Sequence, residues 1–338
     1  MSSSWGTEQT QFFFELTPDV ILDAVELLGV RCTGRCLPLN SMENRVYDLE
    51  VEWRNPEPPK SPSELSRIAK FYRPGRWTRE QIKEEHRFLL DLHDRDIPAV
   101  RPEEDGQGET LHEIPEIGIF YAVFPKIGGR NPDELSAEQL KSVGRLLARV
   151  HNTGASKIAE HRIRLDHETY GWSNLDYLLD SEILPEELEE DYADLVEEIC
   201  ELSAPWFDES EIQRIHGDCH LGNLLWQEQP FWVDFDDMVN GPCVQDLWLL
   251  VPGRDEDSRE QFNILLEAYE DLREFDRRSL RLIEPLRALR YVHFSAWISK
   301  RWEDPAFPRR FDFFGTKNYW QQQIADLKES LDLIREIS

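Results

Sequence analysis

The sequence is poor in cysteine, with five in 338 residues at irregular spacings. An odd number without a repeated spacing does not indicate a disulfide framework and favours a reducing compartment. No apolar run approaches the roughly 20 residues that a membrane-spanning helix requires. The opening segment, MSSSWGTEQTQFFFEL, has no basic region followed by an apolar one. We therefore expect no signal peptide, no membrane segment, and a soluble, cytoplasmic protein.

Basic residues are also scarce, since 38 Lys and Arg stand against 67 Asp and Glu, for a formal net charge of −29. A polyanion of this size is repelled by nucleic acids and by anionic membrane surfaces. We therefore expect no nucleic-acid partner and no membrane partner. Hydrophobic residues make up 40% of the chain and aromatic residues 11%. This composition is typical of a folded protein and not of a disordered one.

The first part of the chain combines strand and helix patterns. Residues 45–53, RVYDLEVEW, alternate as a strand does, and residues 65–74, LSRIAKFYRP, form the predicted returning strand. The segment between them, 55–64, contains four prolines and is predicted to be a loop. Together they predict a long hairpin. Helical spacing occurs at 17–30 and 77–94, and an apolar strand is predicted at 118–129.

From about residue 133 onward helical patterns dominate, apart from a short β and loop region at 214–237. We predict an α+β protein of two lobes, a smaller β-rich one over 1–125 and a larger helical one over 126–338. The predicted helices of the second lobe cover 134–152, 192–203, 261–272, 279–302 and 319–337.

The strongest motif is IHGDCHLGNLLW at 215–226, followed by FWVDFDD at 231–237. The catalytic loop of protein kinases has the pattern H-R-D-x-x-x-x-N, in which Asn follows Asp by five residues. Asp218 and Asn223 have the same separation, with Gly217 in place of the Arg. Asp234 ends an apolar strand, where kinases place the Asp of D-F-G. Both patterns in this order predict a two-lobed, protein-kinase-like fold.

Phosphoryl transfer explains why these residue types occur together. The protein must position the reactants and neutralise charge on phosphate oxygens. One carboxylate accepts the hydroxyl proton, and hard oxygen ligands hold Mg²⁺. Asp218 is the candidate for the first task, and Asn223 and Asp234 are candidates for the second. The implied cofactor is Mg²⁺, and ATP is the implied co-substrate.

The same template requires a strand lysine paired with a helix glutamate. Lys70, in the strand IAKFY, is the candidate lysine. Glu85 shares the face of Leu89 and Leu92 on the next helix and is preferred over Glu84.

Two further segments are candidates for nucleotide contacts. The loop LNSMENRVY lacks glycine but offers Ser41 and Asn44 as hydrogen-bond donors, and a plain β-turn is an equally good interpretation. In the connector VFPKIGG, backbone groups from Phe124 to Lys126 are expected to face adenine, with Pro125 contributing no donor.

Other interpretations of these residues stay open. In one alternative, Asp218 only caps a turn and Asp234 only ends a strand, and neither has a catalytic role. His216, Cys219 and His220 would be zinc ligands only with a further Cys or His pair, and the sequence lacks one at a zinc-like distance. We expect His216 to be hydrogen-bonded inside the loop instead. We expect Asp246 to brace the loop. We expect Asp237 to be solvated or to support the metal ligands. Arg287 and Arg290 either line an acceptor site or pair with surface acids.

Several segments resemble the stress response kinase A family of bacterial serine/threonine protein kinases, within the aminoglycoside phosphotransferase and choline-kinase-like superfamily. The resemblance implies that Asp218 is the proton acceptor, that Asn223 and Asp234 bind magnesium, and that Ser41 contacts ATP. It also implies autophosphorylation, a monomer, a protein substrate and a role in stress. The chain departs from the family in its Pro-rich 55–64 insertion and its acidity. The resembling segments are PLNSMENRVY (38–47), KFYRPGRWT (70–78), EEH (84–86), YAVFPKIGGR (121–130), GRLLARVHNTG (144–154), HGDCHLGNLLW (216–226), VDFDDMVNGPCVQDLWLL (233–250), IEPLRALR (283–290) and KRWEDPAFP (300–308).

Three hypotheses follow for the function. The first is a protein serine/threonine kinase. The second is a small-molecule kinase for an aminoglycoside, choline or homoserine-like acceptor, which would use the same catalytic groups. The third is a non-catalytic nucleotide-binding or scaffold protein, which predicts the loss of at least one of Lys70, Asp218, Asn223 and Asp234. All four are present.

Overall fold

The structure is a computed structural model that describes Phe13 and residues 15–337. The segment 1–12, on which most of the signal-peptide prediction rests, lies outside the described residues. The described chain forms two compact units. The first comprises the residues up to Glu134 together with Leu221–Asp236, and the second comprises Leu135–His220 together with the residues from Asp237 onward. The predicted division into lobes at residue 125 remains a prediction.

The first unit contains a five-stranded antiparallel sheet in the order β1-β2-β3-β5-β4 and a separate hairpin of β7 and β8. Its strands are β1 Cys32–Pro38, β2 Arg45–Val51, β3 Ser66–Phe71, β4 His112–Ile114, β5 Ile119–Pro125, β7 Leu224–Trp226 and β8 Pro230–Trp232, and its helices are α1 Pro18–Glu26 and α2 Arg79–His93.

The pairing of β2 with β3 confirms the predicted hairpin across the Pro-rich segment. Side chains alternate between the two faces of a strand. Ala69 and Phe71 lie in the apolar core that includes Ile21 and Val25 of α1. Lys70 therefore projects from the opposite face of β3. The Thr17 side chain caps α1 by accepting a hydrogen bond from the Val20 amide.

Helix α2 begins with a capping box, in which Thr78 and Gln81 exchange side-chain and backbone hydrogen bonds. Its buried face contains apolar residues and, among them, Glu84 and Glu85. Burial of a carboxylate is unfavourable unless a partner compensates its charge. The position of Glu85 in this face therefore indicates a cation close by within the unit.

The second unit is mainly helical and includes a two-stranded pair formed by β6 and β9. Its strands are β6 Gln213–Ile215 and β9 Val239–Gly241, and its helices are α3 Ala137–Gly154, α4 Ser173–Asp180, α5 Glu186–Asp208, α6 Val244–Trp248, α7 Glu256–Glu270, α8 Ile283–Ser299, α9 Ala306–Arg310 and α10 Lys317–Ile337.

Close packing in this unit depends on small residues at the helix crossings. A Cβ atom at Gly144 of α3 would lie 2.3 Å from the carbonyl oxygen of Leu265 on α7, so only glycine permits this approach. Helices α8, α9 and α10 contribute a continuous group of aromatic rings, among them Trp297, Phe307 and Trp320. The eight α-helices that the described residues form in this unit confirm the expectation of a helical second part in an α+β protein.

None of the helices in the described part of the chain combines the length and the apolar character needed to cross a membrane.

Candidate active site

The segment that carries Asp218 follows β6, and a buried carboxylate fixes its backbone. The Asp246 oxygens accept hydrogen bonds from the amides of His216 and Gly217, both at 2.8 Å. Asp246 lies in α6 and is fully buried. Its bracing role was predicted and is confirmed. His216 is also hydrogen-bonded inside the loop as predicted, because its Nδ1 accepts from the Asp218 amide at 3.3 Å.

His151 supports Asp246 from α3. Its Nε2 lies 3.1 Å from Asp246 Oδ2, and its Nδ1 lies 2.9 Å from the Tyr269 hydroxyl. Burial disfavours a charged imidazole, but Cys243 and Asp246 outweigh burial and raise the pKa of His151 to about 9. The loop is therefore anchored to a buried network of paired groups.

Gly217 replaces the Arg of the kinase template for a steric reason. Its φ is +87°, a conformation that favours glycine. A Cβ atom there would lie 2.2 Å from the carbonyl oxygen of Asp237. Any larger residue would displace the loop backbone that positions Asp218.

Asp218 is held as a carboxylate between two nitrogen groups. Its Oδ1 accepts a hydrogen bond from Arg290 Nη2 at 2.8 Å, and its Oδ2 lies 3.2 Å from His220 Nε2. Burial opposes ionisation, but Arg290 and His220 hold the pKa of Asp218 well below its usual range. Asp218 is therefore ionised at neutral pH, as a proton acceptor must be.

In the first unit, the hairpin of β7 and β8 brings Asn223 and Asp234 together. Leu224 pairs with Trp232, and the amide of Val233 donates to the Asn223 carbonyl at 3.0 Å. Asn223 therefore lies directly across from the residue that precedes Asp234. Asp234 itself has φ +58°, which Asp tolerates better than most residues.

Lys70 lies among three carboxylates of the first unit. Its Nζ is 3.0 Å from Asp234 Oδ1, 3.1 Å from Asp236 Oδ1 and 3.4 Å from Glu85 Oε1. Burial alone would lower the pKa of Lys70, but Asp234, Asp236 and Glu85 raise it well above the ordinary value. The structure thus contains the predicted pair of Lys70 and Glu85, and the raised pKa keeps Lys70 protonated at neutral pH.

Asp234 and Asp236 differ in exposure, although they are two residues apart. The Asp234 side chain is 53% exposed, and that of Asp236 is 4% exposed. Asp236 also pairs with Arg76 Nη1 at 3.1 Å. Asp236 therefore has a structural position, whereas Asp234 is open to a ligand. The sequence did not assign these roles to Asp236 and Arg76, since only the adjacency of acids in VDFDD signals them.

Ser41 lies in the loop between β1 and β2, where it is half-buried. Arg73 fixes this loop by donating to the carbonyls of Glu43 at 2.8 Å and Met42 at 3.1 Å. The Asn44 side chain accepts from the Arg73 amide at 3.0 Å. Side-chain bonds thus stabilise the glycine-free loop, and the contact of Ser41 with ATP stays a prediction.

The connector residues Phe124 and Lys126 both engage their own unit. Phe124 pairs with Ile68 in the sheet, and its ring meets His86 edge-on at 6.3 Å. Lys126 Nζ lies 2.6 Å from Asp48 Oδ2. The role of their backbone groups toward adenine stays a prediction.

Asn223 and Asp234 fit a hard divalent cation because both offer oxygen donors at one end of the same hairpin. Mg²⁺ is commonly held by one or two carboxylates and by phosphates, so two protein ligands suffice. Within residues 13 and 15–337, no three His, Cys, Asp or Glu side chains are grouped as metal ligands. His216 and His220 instead contact the Asp218 amide and carboxylate.

Comparison with known proteins agrees with this arrangement. Residues 38–283 match the model of the phosphotransferase enzyme family. The chain is 39% identical to stress response kinase A of Escherichia coli strain K12, over 99% of this chain and 97% of that protein. It is 36% identical to the serine/threonine protein kinase RdoA of Salmonella typhimurium strain LT2, over 96% of this chain and 95% of that protein.

Solved structures show the same fold. An amicoumacin kinase, solved with AMP-PNP, Ca²⁺ and Ami, is 18% identical, covers 89% of each chain and has a TM-score of 0.68. This likeness confirms the kinase-like fold. The chain therefore belongs to the phosphotransferase enzyme family and, within it, to the relatives of stress response kinase A.

Proposed function

We propose that this phosphotransferase is a Mg²⁺-dependent kinase that moves the γ-phosphate of ATP onto a serine or threonine hydroxyl of a protein. The Lys70 cluster carries the proposal. A buried ammonium group is held by Glu85 and Asp234, beside the hairpin that presents Asn223. A fixed cation next to two oxygen donors suits a triphosphate with a bound divalent cation.

On the nucleotide side, each residue has a distinct task. Asn223 and Asp234 would hold Mg²⁺, which when bound neutralises charge on the phosphates. Lys70 orients the phosphates, and Glu85 keeps its ammonium group in place. The AMP-PNP and Ca²⁺ bound to the amicoumacin kinase support a nucleotide with a divalent cation. The further proposed ATP contacts are Ser41 and the backbone of Phe124 and Lys126.

On the acceptor side, Asp218 takes the proton of the attacking hydroxyl. The hydroxyl oxygen forms a bond to the γ-phosphorus while the bond from that phosphorus to the β,γ-bridging oxygen breaks. ADP leaves, and the proton on Asp218 passes to solvent. Because Arg290 and His220 favour the carboxylate form, Asp218 is unprotonated before the hydroxyl binds, and it releases the transferred proton readily.

A protein acceptor is supported by the Salmonella relative, which is named a serine/threonine protein kinase and is 36% identical to this chain. The name of the Escherichia coli relative supports a role in stress response. The shared fold of an amicoumacin kinase makes a small hydroxyl compound the second candidate. Fold alone does not determine the substrate.

Incubation of the purified protein with Mg²⁺ and γ-labelled ATP, first alone and then with a cell extract, tests the proposal. We expect label on the protein itself and on extract proteins at Ser or Thr. The Asp218→Asn variant is the control and should remove both signals. Label that appears only in small compounds would show that the acceptor is a small molecule and not a protein. If the variant keeps both signals, Asp218 does not have the proposed role.

A further inference from the structure

Helix α8 connects the proposed base to a surface that is unusual for this protein. Arg290, Phe294, Trp297 and Arg301 follow one another at intervals of four, three and four residues. This spacing aligns them along one side of the helix and the turn that follows it. Arg290 contacts Asp218 at 2.8 Å, so the row, which we call the α8 stripe, begins at the proposed catalytic carboxylate.

The middle of the α8 stripe is aromatic and belongs to a larger group of rings, whereas Arg301 at its far end is buried. Phe294 stacks on Trp297 with ring centres 5.7 Å apart, and Phe311 meets both rings edge-on at 5.8 Å. Phe313 packs edge-on against Phe311, and Phe307 lies 5.0 Å from Trp297. These five residues form what we call the aromatic shelf.

The outermost rings of the shelf are open to solvent. Phe294 is 39% exposed and Phe313 is 47% exposed. Among the described residues, they are the two aromatic side chains with such exposure, and both belong to the shelf. Exposed aromatic groups that share one patch indicate an interaction site, whereas single exposed apolar residues do not.

The segment that contains the shelf differs in charge from the whole chain. From Phe294 to Lys317 there are five Lys and Arg and three Asp and Glu, in a chain with a formal net charge of −29. Of these cations, Lys317 is paired with Glu187. Arg309 and Arg310 on α9 are exposed, and neither has an ion pair with any other described residue. A local cation excess attracts an acidic partner and repels a cationic one.

We propose that the α8 stripe, the aromatic shelf and Arg309 and Arg310 form the acceptor-docking surface, and that this surface binds an acidic polypeptide segment containing the acceptor hydroxyl. The proposal rests on the proposed kinase function. It deepens that function by naming the acceptor class. A cationic amino-sugar acceptor would meet repulsion from the same arginines.

The geometry also limits the spacing within such a segment. Seven residues of helix separate Arg290 from Trp297, which corresponds to about 10 Å at roughly 1.5 Å per residue. An extended peptide covers this distance in about three residues. The acceptor Ser or Thr should therefore have a large apolar side chain about three residues away, with Asp or Glu nearby.

Peptide phosphorylation by the full-length protein tests the proposal. Three peptides of equal length each contain one Ser. The first has Phe three residues from the Ser and flanking Glu residues. The second has Lys in place of Glu, and the third has Ala in place of Phe. We expect kcat/KM for the first to exceed that of each other peptide by about tenfold or more, the effect of losing one anchoring contact.

Variants of the surface connect this preference to the structure. Phe313→Ala, and separately Arg309→Glu with Arg310→Glu, should raise KM for the acidic peptide by about tenfold, and the charge reversal should improve the Lys peptide. Leu272→Ala and Lys328→Glu are matched controls, since both positions are exposed and lie away from the shelf in sequence. Their KM values should equal that of the unchanged protein.

Three outcomes would each overturn the docking surface. The first is equal rates on the three peptides. The second is a preference for the Lys peptide or for a cationic aminoglycoside, and the third is an unchanged KM in both surface variants. In those cases phosphate transfer from ATP still occurs, so the kinase activity survives, and a preference for the aminoglycoside would favour the small-molecule acceptor. Absence of any labelled product, on the protein, peptides or small compounds, would instead refute the kinase function and the docking surface with it.

Discussion

The two units of the protein hold charged groups in opposite ways. In the first unit, the ammonium group of Lys70 lies among the carboxylates of Glu85, Asp234 and Asp236. In the second, the carboxylate of Asp218 lies between Arg290 and His220. The contacts in both clusters are 2.8–3.4 Å long, and each central group is kept in its charged form.

Under the proposed function, both clusters would prepare charges for phosphoryl transfer. Neighbours of opposite charge stabilise the ionised form of a buried group and fix its position before any substrate binds. The clusters differ in what remains accessible. In the first, Asp234 is open to a ligand while Asp236 is buried. In the second, Asp246 is buried and braces the loop, while Asp218 is partly accessible.

Removal of the charge at the centre of the second cluster should have the largest effect on activity. Asp218→Asn keeps the shape of the side chain but cannot accept the hydroxyl proton. We expect phosphate transfer to fall by about 10²–10⁴-fold, the usual contribution of a general base. ATP binding, measured by calorimetry, should be close to that of the unchanged protein. Turnover within threefold of the original would contradict the role of Asp218.

Removal of the central charge of the first cluster should reduce both stability and activity. Lys70→Met leaves Glu85 buried without this cation and leaves Asp236 with Arg76 alone, which costs about 3–5 kcal/mol of unfolding free energy. Misplaced phosphates should lower kcat by about 10²-fold. Chemical denaturation and steady-state kinetics measure the two effects.

Two further variants sharpen this test. Lys83→Met removes a surface pair with Glu109 and should cost less than about 1 kcal/mol. Adding Glu85→Gln to Lys70→Met should restore part of the lost stability, because one uncompensated charge is gone. If Lys70→Met is as stable as the unchanged protein, the carboxylates do not depend on Lys70.

Asp246→Ala should destabilise the loop of the second cluster by about 3 kcal/mol. The amides of His216 and Gly217 would lose their acceptor in a buried place, at about 1–3 kcal/mol for each. Thermal or chemical unfolding measures the change. Asp276→Ala, which removes a more exposed acceptor of the Arg278 amide, is the control and should cost about 1 kcal/mol. Equal losses in the two variants would contradict the bracing role.

The smallest expected effect comes from one flanking cation of the second cluster. Arg290→Met removes the main cause of the low pKa of Asp218, so that pKa should rise toward its usual value. On acidification, Asp218 would then become protonated at a higher pH than in the unchanged protein. The acid limb of the kcat profile should therefore move to higher pH. At neutral pH Asp218 stays ionised, and we expect kcat to fall by about tenfold, or about 1.4 kcal/mol, because the carboxylate loses the guanidinium group that positions it.

The matched variant is Arg287→Met, on the same helix. Arg287 donates to the Pro252 carbonyl at 2.6 Å and pairs with Glu284, and the structure shows no bond from it to Asp218 among the described residues. Its pH profile should keep the original acid limb. An unshifted limb in Arg290→Met would show that Arg290 does not control the ionisation of Asp218.

Much of the fold follows from local patterns. The periodicity at 77–94 predicts α2, which the structure places at Arg79–His93. The alternation on both sides of the Pro-rich segment predicts the β2 and β3 pair. Short elements such as β4 and α9 carry too few residues for a periodic signal, and the sequence did not reveal them. The predicted helix at 279–302 begins in the structure as a 3₁₀ segment, Arg277–Leu282, before α8.

The candidate site was predicted where spacing carries information and missed where it does not. Asp218, Asn223, Asp234 and Lys70 stand at template positions, and the pairing of Lys70 with Glu85 was expected. The partners of these groups come from distant parts of the chain. Arg290 is 72 residues from Asp218, and Asp236 is 160 residues from Arg76. No local pattern encodes such contacts.

The sequence by itself determined which chemical groups are available and that the chain consists of a β-rich part and a helical part. Residue type, periodicity and short spacings are local properties, and they suffice for those conclusions. Only the tertiary structure decided which charges meet. Ion pairs such as that of Lys70 and Asp236, and the aromatic shelf beyond Arg290, depend on how distant segments pack, because the energy of a charge is set by its neighbours in space.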